Sequence, residues 1–225
     1  MVIAKYFSNI ANRNSANMTN YQDYLAILAP PENICNHIKG LKNFSSEIIG
    51  EYKSRHSRPC VSVQFLPRKK PVWIEPLMPK LERELQTLPP VELEINGFAF
   101  FDQQEFQTIY AKLESTPATK LWFKLLRKFF NTSPFEPHIT IAGNLPNEDF
   151  KVLWPHFKDQ SFNARFSMDM LTILRRETIG YNKRYLVYKQ MPFNPRLDFD
   201  TFTRAKLKAP APALKQADVQ QISLF

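Results

Sequence analysis

The chain has 225 residues, of which 44% are hydrophobic and 23% charged, a composition typical of one globular domain or two small lobes. Its formal net charge of +9 favours anionic partners, but the basic residues are scattered, which disfavours a charge-only nucleic-acid tail. No stretch approaches the roughly 18 apolar residues of a membrane span, and two cysteines disfavour a disulfide framework. We therefore expect a reduced, cytoplasmic monomer without membrane association.

The first twenty residues are rich in Asn and Ser and show no sustained hydrophobic period. They predict a flexible N-terminal extension over residues 1–20. Then "YLAILAP" at 24–30 predicts a strand, and "PENICNHIKGLKNFSSEIIG" at 31–50 predicts a helix with Pro31 in its first turn.

Six further strands and three further helices follow in the hydrophobic pattern of the chain. The strands are predicted at "PCVSVQFL" (59–66), "VELEINGFAFF" (91–101), "FQTIYAKLE" (106–114), "PHITIAG" (137–143), "FNARFSMDMLTILRR" (162–176) and "RYLVYKQMPF" (184–193). The helices are predicted at "IEPLMPKLERELQTLPP" (74–90), "ATKLWFKLLRKFF" (118–130) and "NEDFKVLWPHFKDQ" (147–160). Because most connections are too short for parallel crossovers, the pattern favours antiparallel pairing in an α+β fold.

Two strand segments repeat the same pattern 78 residues apart: "PCVSVQFLP" at 59–67 and "PHITIAGNLP" at 137–146. In this repeat Cys60 and Ser62 correspond to His138 and Thr140. A strand repeats every two residues, so the two side chains of each pair leave the same face. Two such copies predict a pseudo-twofold protein in which the strands face each other across a cleft.

The paired Pro-x-x-[ST] strands, in this order of elements, resemble the two-histidine phosphoesterases over residues 21–193. These proteins are often labelled 2′-5′ RNA ligases or RNA cyclic phosphodiesterases. The resemblance implies an α+β fold of two pseudo-symmetric lobes, each an antiparallel sheet with outer helices, around a central groove. It also implies a reaction on RNA or cyclic nucleotide phosphodiesters without metal or cofactor, in which one imidazole takes a proton and a second gives one.

Carried onto this chain, the resemblance gives His138 as acid or base and Thr140 as a hydrogen-bond donor to the phosphate. The alternative is that His138 is only a core residue. The first motif keeps its hydroxyl as Ser62 but has Cys60 where the family has histidine. A thiol with its ordinary pKa near 8.5 is mostly protonated at pH 7 unless a neighbouring positive charge, from Arg58 or His56, lowers that pKa. Cys60 is therefore either a modified catalytic position or a small buried residue.

Each of the other candidate site residues has two interpretations, one as a functional residue and one as an ordinary structural or solvated residue. Arg58 and Arg175 are candidate phosphate ligands, although Arg175 also fits a solvated strand end. His56 is either a replacement imidazole or a solvated loop residue. His37 and His156 fall in predicted helices without matching ligands, so no metal site is predicted.

Residues 194–225 are predicted to form a disordered tail, because "KAPAPALKQADVQQ" is Pro/Ala-rich and polar. It ends in "QISLF" (221–225), which resembles the short peptide by which bacterial proteins bind the replicative sliding clamp. In that mode Leu224 and Phe225 fill an apolar pocket and Gln221 fixes the register. The alternative is that these residues dock on their own domain.

Two functional hypotheses follow from the sequence. The first is an enzyme acting on 2′,3′-cyclic or 2′-5′ linked nucleotide or RNA ends. The second is a module that has lost one imidazole and binds phosphorylated or nucleic-acid ligands without cleaving them, tethered to the sliding clamp through QISLF.

Overall fold

The computed structural model of the protein describes residues 21–179 and 184–208, so the predicted extension at 1–20 and the QISLF peptide lie outside the described residues. The strands are β1 Gln22–Leu28, β2 Val61–Lys69, β3 Val91–Gln103, β4 Phe106–Leu113, β5 His138–Pro146, β6 Asn163–Met168, β7 Met170–Glu177 and β8 Leu186–Pro192. The α-helices are α1 Glu32–Ile49, α2 Pro71–Ile74, α3 Met78–Leu85, α4 Pro117–Phe130, α5 Asn147–Leu153 and α6 Phe199–Lys208. Within the described ranges, no helix is long and apolar enough to span a bilayer.

The strands form two four-stranded sheets with the orders β2-β1-β7-β8 and β5-β4-β3-β6, and every pairing is antiparallel. Helix α1 packs on β5 and α5, and α4 packs on β3 and α6. The predicted α+β class with two antiparallel lobes is confirmed.

The two lobes exchange strands. Strand β3 follows the first sequence repeat but joins the second sheet, whereas β7 and β8 follow the second repeat and complete the first sheet. The prediction of one continuous strand over 162–176 is wrong, because the chain leaves the second sheet at Asp169 and enters the first. Fifteen extended residues would reach about 50 Å, well beyond the usual length of a strand in a globular sheet.

The two repeat strands are equivalent in the architecture, since β2 and β5 are each the edge strand of a sheet and lie against each other. Val61 and Ile139 are fully buried and anchor the inner faces of these strands. Because side chains alternate along a strand, Ser62 lies on the face of β2 opposite to Val61, and Thr140 lies on the face of β5 opposite to Ile139. The sequence pattern thus predicts the face that carries the motif.

Local sequence signals account for the bounds of α4. The Thr116 side chain accepts a hydrogen bond from the Thr119 N–H, and Pro117 occupies the first turn. Asn131 ends the helix in the left-handed conformation, with φ 50°. Trp122 on the inner face is fully buried and donates its indole N–H to the Pro89 carbonyl oxygen at 3.0 Å, which fixes α4 to the turn before β3.

The predicted tail boundary at residue 194 is wrong, because Phe199–Lys208 form helix α6 against α4. The Asp198 carboxylate accepts a hydrogen bond from the Thr201 N–H at 2.8 Å, an N-terminal capping interaction. Phe199 and Thr203 are buried at the helical spacing of four residues. The ordered domain therefore extends to residue 208.

Candidate active site

A groove of about 1120 Å³ opens beside the first motif. It is lined by the loop between α1 and β2 together with side chains of both sheets, including Leu25 and Leu174 of the first sheet and Thr140 of the second. Four cationic side chains and one carboxylate line it: Lys39, Arg55, Arg58, Arg184 and Glu32. The excess of positive charge favours an anionic ligand such as a phosphate.

A second cavity of about 480 Å³ contains the second motif. His138 lines this smaller cavity, and Ser57 and Thr140 line both cavities. The two cavities therefore adjoin at Ser57 and Thr140. The structure brings Cys60, Ser62 and Thr140 together in the larger cavity, with His138 in the adjoining one.

His138 is held at the start of β5 by a hydrogen bond between its Nδ1 and the Glu136 carbonyl oxygen, at 2.8 Å. Because a carbonyl can only accept, Nδ1 carries the proton in the neutral ring and Nε2 keeps its lone pair. Phe101 packs edge-on against the imidazole, with ring centroids 4.9 Å apart, and the Tyr110 ring lies tilted to the imidazole with centroids 5.1 Å apart. The ring is thus oriented with Nε2 available to a ligand.

Burial lowers the pKa of His138 below its ordinary value, and this effect outweighs the carbonyl and the negative charge of Glu136, which raise it. The ring is therefore neutral at pH 7. A neutral imidazole with an available Nε2 is suited to accept a proton as a general base.

Cys60 lies immediately before β2 and lines the larger cavity. Burial raises its pKa to about 11, although a hydrogen bond with Ser62 and the charges of Arg58 and Lys42 act in the opposite direction. The charge of Arg58 does not bring the pKa of the thiol below its ordinary value, because desolvation is the larger effect. Cys60 is a neutral thiol at pH 7, which is a weak hydrogen-bond donor and no base.

The remaining predicted residues divide between the groove and the surface. Arg58 and Ser62 line the larger cavity. His56 also reaches its rim, but its side chain is 81% exposed and its Nε2 lies 3.6 Å from a Glu51 carboxylate oxygen. This matches the solvated interpretation of His56.

Arg175 does not line the groove, which favours its interpretation as a solvated strand end over that of a phosphate ligand. Its guanidinium lies 3.6 Å from a Glu75 carboxylate oxygen and 4.5 Å from the centre of the Tyr188 ring. The physical reason is strand alternation, since its neighbour Leu174 faces the groove and Arg175 takes the opposite face of β7. Arg184, which lies just before β8, lines the groove instead.

The loop between α1 and β2 holds a polar network that was not predicted from the sequence. The Ser54 hydroxyl accepts a hydrogen bond from the Gly143 N–H at 2.7 Å, and the Tyr52 hydroxyl donates to the Ile141 carbonyl oxygen at 3.3 Å. Both bonds fasten the loop to β5. The loop therefore joins the two sheets at the groove.

Lys42 on α1 is the least expected member of this network, because only 1% of its surface is exposed. Its ammonium donates to the Ser54 carbonyl oxygen and to the Ser57 hydroxyl oxygen, each at 2.9 Å. Burial lowers the pKa of Lys42 to about 8, while the neighbouring Cys60 acts in the opposite direction. The signal in the sequence was a lysine four residues after Ile38 on the apolar stripe of α1, where a charge breaks the pattern.

Among the residues that the structure describes, no group of three or more His, Cys, Asp or Glu side chains is arranged to hold a metal ion.

The sequence profile of the 2′-5′ RNA ligase superfamily matches residues 30–180, about two thirds of the chain. The chain belongs to the 2′-5′ RNA ligase superfamily. The resemblance to two-histidine phosphoesterases inferred from the two motifs is thereby confirmed. No curated protein sequence matches the chain.

Solved structures of low sequence identity share the fold of this superfamily member. TT0787 of Thermus thermophilus superposes with a TM-score of 0.59 and 15% identity, over 76% of this chain and 98% of the other. E. coli LigT complexed with 3′-AMP superposes with a TM-score of 0.54 and 13% identity, over 77% of this chain and 99% of the other. E. coli LigT complexed with NADP+ superposes with a TM-score of 0.53 and 12% identity, over 78% of this chain and 99% of the other.

Proposed function

We propose that this protein binds phosphodiester ends of RNA or nucleotides in the groove between its sheets and hydrolyses 2′,3′-cyclic phosphates, with His138 as the base. The observation that carries the proposal is the imidazole of His138, held by Glu136 with Nε2 available, in a cavity that adjoins a cationic groove through Thr140. A cyclic or diester phosphate has the charge and size that such a groove accommodates.

Membership of the superfamily supports the class of ligand. E. coli LigT has been crystallised with 3′-AMP, a nucleotide with a phosphate at the position that opening of a 2′,3′-cyclic phosphate can produce. The cationic side chains around the large cavity supply the long-range attraction for such an anion. We also propose a cytoplasmic location, where the free thiols of Cys35 and Cys60 stay reduced.

In the proposed reaction, His138 Nε2 takes a proton from water as the water oxygen attacks phosphorus. The hydroxyls of Ser62 and Thr140 are placed to donate hydrogen bonds to the phosphate oxygens, on which negative charge grows in the transition state. Cys60 is a poor partner for the leaving oxygen, because burial disfavours the thiolate that proton donation would leave behind. The first motif thus binds phosphate and leaves the second proton transfer to another group.

The test is hydrolysis of a nucleoside 2′,3′-cyclic phosphate by the wild type and by His138→Ala. We expect the variant to lose at least about 100-fold in kcat, the usual contribution of a positioned base. His156→Ala is the matched control, because His156 packs against Phe44 in the turn after α5 and lines neither cavity. A wild type without turnover, or a His138→Ala variant with full turnover, would contradict the proposal.

The neutral thiol of Cys60 favours a second candidate function, a non-catalytic module that binds RNA or nucleotide ends. In this candidate the terminal QISLF peptide, which lies outside the described residues, tethers the groove to the bacterial replicative sliding clamp. Gln221, Leu224 and Phe225 are the proposed clamp contacts. Calorimetry distinguishes the candidates, since the module binds the cyclic nucleotide without turning it over.

A further inference from the structure

Ser57 occupies the junction of the two cavities and is exposed to both. Its hydroxyl oxygen accepts a hydrogen bond from the Lys42 ammonium at 2.9 Å and donates one to the Ser54 carbonyl oxygen at 2.7 Å. The Lys42 ammonium also donates to that same carbonyl at 2.9 Å. The Ser54 carbonyl therefore stays paired if the Ser57 hydrogen turns toward a ligand.

This pair lies next to the first motif, which has no histidine. Lys42 is close enough to Cys60 for their charges to interact, and Cys60 stands at the position that corresponds to His138 in the repeat. Lys42 itself cannot touch a ligand, since only 1% of its surface is exposed. The hydrogen-bonded route from Lys42 to a ligand runs through the exposed hydroxyl of Ser57.

A buried ammonium next to an exposed hydroxyl has a structural alternative, in which Lys42 only ties α1 to the loop. Two observations favour a functional role. A buried ammonium lowers the stability of the fold relative to an apolar side chain at the same position. A purely structural role would therefore be served better by an apolar residue. In addition, the hydroxyl that the cation contacts faces the groove.

We propose that Lys42 and Ser57 form a two-step proton relay that protonates the leaving oxygen, in place of the imidazole missing at Cys60. This relay rests on the proposed hydrolysis of cyclic phosphates. Ser57 is the catalytic residue that touches the substrate, and Lys42 is the proton source behind it.

Every proton that moves in this step has a named donor and a named acceptor. Water loses a proton to His138 Nε2, its oxygen bonds to phosphorus, and the bond from phosphorus to the ribose oxygen breaks. The leaving oxygen takes the Ser57 hydroxyl proton, and Ser57 takes a proton from the Lys42 ammonium. Afterwards the imidazolium returns one proton to solvent and Lys42 regains one, so both residues are restored. A lysine whose pKa is about 8 is a better acid at neutral pH than a thiol whose pKa is about 11.

The relay is tested by comparing two substrates whose leaving groups differ in their need for a proton. One is a nucleoside 2′,3′-cyclic phosphate, which leaves as a ribose alkoxide and needs a proton. The other is bis(p-nitrophenyl) phosphate, which releases a stable phenolate without one. We expect Ser57→Ala and Lys42→Met each to lose about 100-fold in kcat on the cyclic substrate and less than about threefold on the nitrophenyl ester.

Matched controls separate the relay from changes of net charge and from loss of a hydroxyl. Lys53→Met removes an exposed lysine of the same loop, and Ser46→Ala removes a partly exposed hydroxyl of α1; neither residue lines either cavity. Both variants should keep wild-type rates on both substrates. If Lys42→Met misfolds, Ser57→Ala alone decides, because its side chain lies at the surface of the groove.

Four outcomes would overturn the relay. Equal losses on the two substrates would indicate a structural role for the pair, and unchanged rates would indicate none. A wild type that hydrolyses neither substrate would remove the proposed enzymatic function together with the relay. By contrast, activity that depends on His138 but not on Ser57 would overturn the relay alone.

Discussion

The ammonium nitrogen of Lys42 lies 2.9 Å from the hydroxyl oxygen of Ser57, and so connects a buried charge to the surface of the groove. The same ammonium contacts the carbonyl of Ser54, whose side chain is bound to Gly143 of the opposite sheet. The relay, the loop and the junction of the two lobes are therefore one hydrogen-bonded unit. The effect of this unit on kcat and its effect on the free energy of unfolding can be measured in separate experiments.

The pH dependence of cyclic-phosphate hydrolysis should have two limbs. His138 must be neutral to accept a proton, so kcat should rise with pH through its pKa, which burial places below 6.5 despite Glu136. Lys42, which faces Cys60, Ser54 and Ser57, must be protonated to donate, so kcat should fall above about pH 8. Initial rates of the wild type from about pH 5 to about pH 10 measure both limbs.

The Ser57→Ala variant identifies the group behind the alkaline limb. Its residual rate on the cyclic substrate should show no decline near pH 8, because the link between Lys42 and the leaving oxygen is gone. An alkaline limb that persists unchanged in Ser57→Ala would assign that limb to a different group.

The Cys60→His substitution should restore a second imidazole at the first motif. We expect kcat on the cyclic substrate to rise by roughly tenfold or more, because a positioned imidazole replaces a relay through a hydroxyl. Lys42→Met should then cost less than about tenfold in the Cys60→His background, against about 100-fold in the native one. Steady-state kinetics of the wild type, the two single variants and the double variant measure this coupling. If the effects of the two substitutions on log kcat are additive, Cys60 and Lys42 serve unrelated steps.

Lys42→Met should stabilise the protein at pH 7. The pKa of Lys42 is about 8 in the folded state against 10.5 for the ordinary group, a difference worth roughly 3 kcal/mol at neutral pH. After the loss of two hydrogen bonds, a net gain of about 1 to 2 kcal/mol remains. Urea denaturation of both proteins at pH 7 measures it.

Because the pKa of Lys42 is lower in the folded state than in the unfolded state, the stability gain of Lys42→Met depends on pH. Between pH 8 and 10.5 the unfolded wild type binds more protons than the folded one, so the stability of the wild type rises with pH. The advantage of Lys42→Met should therefore be largest below pH 8 and shrink toward pH 10.5. An advantage that is constant over this range would exclude ionisation of Lys42 as its source.

Asp23 should be a major stabilising residue of the first sheet. This residue is 5% exposed, and its carboxylate accepts hydrogen bonds from the Arg68 N–H at 3.0 Å, Arg176 Nε at 3.0 Å and the Thr178 hydroxyl at 2.8 Å. These bonds join β1, β2 and β7. Asp23→Ala should cost roughly 2 to 4 kcal/mol in the free energy of unfolding, measured by urea denaturation at pH 7.

Burial by itself would raise the pKa of Asp23, but the hydrogen bonds and the Arg176 charge together lower it below 3.8. The stabilisation should thus be present above the ordinary pKa and be lost as the pH falls through the lowered one. The exposed carboxylate of Asp159 gives the control, since Asp159→Ala should change stability by less than about 0.5 kcal/mol. Equal costs for the two variants would contradict this account.

A labelled peptide of residues 216–225 should bind the purified bacterial sliding clamp, as measured by fluorescence anisotropy. Replacing Leu224 and Phe225 by alanine should abolish binding, because these side chains are the proposed apolar anchors. Absence of binding by the native peptide at high micromolar clamp would end the tethering proposal.

Most of the secondary structure could be predicted from the sequence, because hydrophobic period and turn residues act locally. Thr116, Pro117 and Asn131 mark the ends of α4 in the order that helix capping requires. The error at Asp169 arose because an apolar pattern shows that a strand is buried and does not show in which sheet.

By itself, the sequence determined the repeat, the face of each motif strand and the absence of histidine at position 60. Only the tertiary structure decided that β2 and β5 meet, that Arg175 turns away, and that Lys42 of α1 lies behind Ser57. The physical reason is that strand and helix periods constrain neighbours along the chain. The pKa values of Cys60, His138 and Lys42 depend instead on burial among residues brought together from distant segments.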